Sequence, residues 1–131
     1  MKKKGYYEYS NGIYPRKLWV HIGMDLNEVI DSCFDGCDYS DMDYCGATYD
    51  AATRKDNDSY GVLVSFKCLK DMTMSVCCHE ASHACDAIEN AIDKKHGGES
   101  SAYLIGWIAS CINKARLGIG DFIEIENDET N

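Results

Sequence analysis

Between residues 76 and 117 the apolar side chains recur at helical spacing in two runs, broken by Gly97-Gly98. Val76, Ala84, Ala87, Ile88, Ala91 and Ile92 give a first helix its apolar positions. Leu104, Ile105, Ile108 and Ile112 form the buried stripe of a second. A glycine pair ends a helix readily, because glycine enters left-handed backbone without a steric penalty. Asp71 is positioned to cap the first helix, which then begins near Met72. The second runs from Glu99 or Ser100 to Leu117, where Gly118 and Gly120 stop it. So tight a turn folds the second helix back beside the first.

The preceding residues supply a sheet for these helices to cover. "RKLWVHIG" alternates Leu18, Val20 and Ile22 against Trp19 and His21, the pattern of a half-buried strand, and Pro15 lies just before it. In "DLNEVIDSCF", Asp25 with Glu28 fits a capping box, and Leu26, Val29, Ile30 and Cys33 share one helical face. "ATYDAATRK", the turn "DNDS" and "YGVLVSFK" read as a β-hairpin. Its second strand turns Tyr60, Val62, Val64 and Phe66 one way and Leu63 and Ser65 the other. "FIEIE" adds a short edge strand. The expected fold class is α+β: a small antiparallel or mixed sheet with helices packed on one face. One domain spans residues 1–125, and an acidic tail, 126–131, is expected to fray.

A formal net charge of -9 argues against nucleic acid as a partner, since such a surface repels phosphate. No apolar run is long enough to cross a bilayer, and no secretory h-region follows "MKKK", so the chain reads as cytoplasmic with no membrane partner. In a reducing compartment its 8 cysteines are expected to be free thiols. None forms a CxxC pair. Cys33 and Cys37, four apart on an expected helix, are better read as small buried residues than as metal ligands. "DGCDYSDMDYCG" is an acidic loop whose spacing does not match a calcium-binding loop.

The chemistry concentrates in "HEASH". On a helix, positions i and i+4 share a face, so His79 and His83 can direct ring nitrogens at one ion about 2 Å away. Glu80 is offset by roughly 100°. It flanks the ion and can take a proton from a water that the ion activates. A catalytic zinc needs a third protein ligand. The histidine-rich metzincin extension is absent, and Glu89 stands where its third histidine would be. Glu99, just past the glycine turn, and His96, just before it, are the candidates. Asp86 and Asp93 are less well placed, and only Asp86 approaches the histidine face.

"HEASH" followed by "GGESSAYLIGW" resembles the gluzincin arrangement, in which a glutamate on a later helix completes a zinc site. More narrowly it is similar to small HExxH proteins of phages and mobile elements of gut bacteria, grouped with metallopeptidases. The resemblance extends more loosely to "YPRKLWV" and "YGVLVSFK". It implies a minimal zincin-like fold with an active-site helix and a ligand-bearing helix. His79, His83 and Glu99 would be the Zn²⁺ ligands and Glu80 the general base. "HGG" at His96 is similar to the third ligand of SprT-like proteases and keeps His96 as the alternative.

Tyr103, one turn beyond Glu99, could donate to an oxyanion, although packing with a wet hydroxyl is the commoner role. Trp107 reads as core. Catalysis by Cys77, Cys78 or Cys85 lacks an orienting third group. Residues 62–66 could serve as an edge along which an extended peptide docks. The leading expectation is a zinc-dependent peptidase acting on a peptide or protein substrate. The alternative is a non-catalytic binding protein on the same scaffold. The sequence does not fix the oligomeric state.

Overall fold

The computed structural model describes residues 3–40 and 43–125. Among them a six-stranded mixed sheet runs in the order β3-β4-β5-β2-β1-β6, with three α-helices. The strands are β1 (Gly5–Ser10), β2 (Lys17–Ile22), β3 (Phe34–Asp35), β4 (Gly46–Arg54), β5 (Tyr60–Phe66) and β6 (Asp121–Glu124). The helices are α1 (Leu26–Cys33), α2 (Met74–Ala91) and α3 (Gly98–Arg116). All strand pairs are antiparallel except β2 with β5, which run parallel and form the centre of the sheet. The hairpin, α1, α3 and the C-terminal edge strand fall where the sequence pattern puts them, but α2 ends at Ala91, before Ile92 and well short of Gly97-Gly98, because Asp93 takes up positive φ there. The acidic tail lies outside the described residues.

The sheet is covered on both faces, not one. Val62, Val64 and Phe66 pack with Leu18 and Val20 against Ile88, Leu104, Ile108 and Ile112 of α2 and α3. Leu63 and Trp19 point the other way, into a second core with Tyr6, Phe34 and the α1 residues Leu26, Val29 and Ile30. α1 thus roofs the face opposite α2 and α3. This is why β2 is not half-buried: Leu18, Trp19, Val20 and His21 are all fully enclosed. A strand that pairs on both edges and is covered on both faces loses the apolar–polar contrast that alternation requires.

Local capping also differs from expectation. Asp71 closes a 3-10 turn, Leu69–Asp71, and α2 begins at Met74. Its cap is Thr73, whose hydroxyl accepts from the Val76 amide at 3.2 Å. Asp25 stands at the N-cap of α1 but makes no cap bond, because its carboxylate is engaged by His21. Cys37 lies beyond the end of α1, so it shares no helical face with Cys33. Residues 62–66 belong to an interior strand between β4 and β2, so they offer no docking edge. No helix of the described residues is long and apolar enough to cross a membrane.

Candidate functional site

His79, Glu80 and His83 lie in the middle turns of α2, on the side turned toward β4. The His79 and His83 Nε2 atoms approach to 3.1 Å. Two nitrogens so spaced, each at the zinc–nitrogen distance of about 2.05 Å, subtend roughly 100° at a shared ion, near the tetrahedral value. Both rings are exposed. Glu80 is different: its residue is only 4% exposed. The Thr48 hydroxyl donates to Glu80 Oε1 at 2.7 Å, while Oε2 lies 3.9 Å from His79 Nε2. One carboxylate oxygen is therefore fixed by the sheet and the other is turned toward His79.

Gly46 makes this placement possible. A Cβ at that position would stand 2.8 Å from Glu80 Cγ and 3.1 Å from Val76 Cγ1, so any side chain on the strand would displace the carboxylate. β4 and α2 together wall a surface groove of about 460 Å³, into which Thr48, Asp50, His79, Glu80, His83 and Asp86 project. Among the described residues, β4 pairs on its outer side only at Thr53 and Arg54, with the short β3. Residues 46–50, beside the histidines, have no strand on that side among the described residues.

The third ligand is not assembled. Among the described residues no Cys, Asp, Glu or further His atom comes within 4.8 Å of both imidazole nitrogens. Glu99 is exposed in the first turn of α3. His96 directs Nδ1 to Glu89 Oε1 at 2.6 Å, away from the pair. Tyr103 is 76% exposed on α3 and does not line the groove. Trp107 packs against the core from a half-buried position, as expected.

Two polar constellations went unread in the sequence. The first surrounds Glu89, which is 1% exposed. Its Oε1 accepts from His96 and, at 3.5 Å, from the Cys85 thiol. Its Oε2 accepts from Lys94 at 2.8 Å and from Ser101, whose hydroxyl in turn accepts from the Gly97 amide. Burial alone would raise this carboxyl, but the bonds from Lys94, Ser101, His96 and Cys85 outweigh it and hold it down at about 2. The same surroundings, burial first and the Glu89 charge second, push the Cys85 thiol up to about 12. Burial also raises Cys77. Both shifts oppose a nucleophilic thiolate. Cys85, Glu89 and His96 are the one trio among the described residues whose ligand atoms all lie within 4.8 Å of one another, close enough to hold a metal ion. Its sequence signal was the i, i+4 spacing of Cys85 and Glu89.

The second constellation is on the opposite face of the sheet. His21 bonds Ser65 Oγ through Nδ1 at 2.8 Å and Asp25 Oδ1 through Nε2 at 2.8 Å, with the Tyr44 hydroxyl 3.2 Å from Ser65. The residue types match a hydrolytic triad, but Ser65 and His21 are both fully buried, so no substrate reaches the hydroxyl. The set instead ties the start of α1 to β2 and β5. The bond from His21 is the main cause of Asp25's lowered carboxyl.

No family model, no curated protein and no solved structure matches the chain.

Proposed function

We propose that the chain is a metal-dependent peptidase whose centre is the groove between α2 and β4. The observation that carries the reading is the convergence of the His79 and His83 Nε2 atoms to 3.1 Å beside a buried Glu80 carboxylate. Two imidazoles suit zinc, and their separation is close to that of two ligands of a tetrahedral ion once the ring-to-ring hydrogen bond gives way. When bound, zinc supplies a Lewis acid that polarises a carbonyl and lowers the pKa of water to about 7.

The chain's own groups do the rest. Thr48 holds Glu80 Oε1 and leaves Oε2 to take the proton of the attacking water and return it to the leaving amine. The outer side of residues 46–50, which no strand among the described residues pairs, suits a substrate lying extended as an added strand, which would keep its backbone beside the histidines. In this reading Glu99 is the third ligand that the sequence resemblance implies. Asp50 and Asp86 are the acids that share the groove.

The unassembled third ligand favours one competing reading, a binding protein that keeps the scaffold and the metal without hydrolysis. One experiment separates the two. The purified chain, loaded with zinc, is incubated with unfolded polypeptides and the products are read by mass spectrometry beside Glu80→Gln. The peptidase reading requires cleavage by the wild type, no cleavage by Glu80→Gln, and equal zinc in both. Absence of cleavage with zinc retained supports the binding reading. Zinc content that does not fall in His79→Ala/His83→Ala removes the groove as the metal centre.

A further inference from the structure

α2 carries a second set of ligating groups on its other side. Cys85 is two residues past His83, roughly 200° further around the helix axis, so it faces away from the β4 groove. There Cys85 Sγ and His96 Nδ1 both point at Glu89 Oε1, at 3.5 and 2.6 Å. We propose that Cys85, Glu89 and His96 form a second metal site, for a thiophilic divalent ion of the zinc class, which clamps the turn between α2 and α3.

The distances are close to what such an ion asks for. Bond lengths of about 2.3 Å to sulfur and about 2.0–2.2 Å to nitrogen and oxygen place tetrahedral ligand atoms roughly 3.3–3.6 Å apart. The sulfur–oxygen separation already meets this, and the nitrogen–oxygen one must widen by about 0.7 Å, which rotation of the exposed His96 side chain supplies. The carboxylate is divided in the way a metal ligand's usually is. Oε1 faces the thiol and the imidazole, while Oε2 is held by Lys94 and Ser101, so the outer hydrogen bonds orient the inner oxygen. Lys94 does not occupy the ion's position, since its ammonium binds the other oxygen.

Cys85 and Glu89 are buried, which keeps the site dry. The His96 side chain is 57% exposed, which leaves an entry from the turn. Without the ion, protons do its work: the thiol and the ring N–H both donate to Oε1. Binding exchanges them. The thiol proton goes to solvent, the imidazole proton moves from Nδ1 to the outward Nε2, and water completes the fourth position. The ion would join residues 85, 89 and 96 more rigidly than hydrogen bonds do.

The test is a titration of the metal-stripped full chain with cobalt(II), followed by absorption in the near ultraviolet, where thiolate-to-cobalt charge transfer appears. The wild type should develop this band to saturation at one equivalent of thiolate-bound ion. His79→Ala/His83→Ala should keep the band, whatever becomes of the groove. Cys85→Ser, which can still donate to Glu89, should lose it. His96→Asn, at an exposed position, should weaken the binding by at least about tenfold. Zinc should raise the unfolding temperature of the wild type and of the double-histidine variant. A wild-type spectrum with no such band overturns the proposal. So does a band that survives in Cys85→Ser, or one whose affinity is unchanged in His96→Asn.

Discussion

Replacing Glu89 by glutamine probes the joint between the two long helices. The amide keeps the shape and can still accept from Lys94 and Ser101. It removes the charge that faces a Lys94 side chain only 19% exposed. The carboxyl sits at about 2 in the folded chain against an ordinary value of 4.5. That difference corresponds to roughly 3 kcal/mol of stability near neutral pH. The sign follows from the direction. A depressed carboxyl contributes fully above its unfolded pKa, and the contribution is lost as pH falls from 4.5 toward 2. Urea unfolding of wild type and Glu89→Gln should be compared in chelator, so that no metal contributes. The wild type should be the more stable by about 2–4 kcal/mol near neutral pH. About 2 kcal/mol of that gap should be gone by about pH 3. A gap that is absent at neutral pH, or that does not shrink on acidification, would refute the account of Glu89 as an ionised hub.

Four other perturbations test the rest. Glu80→Gln should lower peptide hydrolysis by at least about 100-fold with zinc content and unfolding midpoint unchanged. Gly46→Ala, which sets a methyl group 2.8 Å from Glu80 Cγ, should cost about 1–3 kcal/mol in urea unfolding and reduce the same hydrolysis. His21→Ala removes the bonds to Ser65 and Asp25 and opens a cavity, and should cost about 2–4 kcal/mol by the same measurement, with no effect on zinc content. Ile108→Ala, at the centre of the α2–α3 core, should cost about 2–5 kcal/mol, which sets the scale for the others.

What could be read from the residues was whatever repeats along the chain. The stripe of α3, that of α2 as far as Ile88, the hairpin and the split of Val62, Val64 and Phe66 from Leu63 and Ser65 are all local periodicities, and the fold keeps them, while Ala91 is exposed and Ile92 lies beyond α2. The pairing of His79 with His83 is of the same kind, since one helical turn suffices to bring the rings together. What the sequence hid depends on distant chain. "GYYEYS" has no clear alternation, because β1 is flanked by β2 and β6 and its Tyr6 faces one core while Tyr7 packs against the other. Trp19 and His21 looked like the wet side of a strand until α1 was laid over them. Glu89 shows the limit most clearly. From the sequence it is one more acid on a helix, six residues past His83. Its low pKa and its burial owe much to Lys94, His96 and Ser101, which reach it because the chain leaves α2 at Ala91, turns through Asp93 at positive φ and enters α3 through Gly97 and Gly98. The glycine pair was read as the stop of the first helix, but α2 already ends at Ala91 and the pair opens α3 instead. The buried carboxylate with two oxygens facing two different sets of partners follows from the three-dimensional turn, and beyond the i, i+4 spacing of Cys85 and Glu89 it has no signature in the sequence.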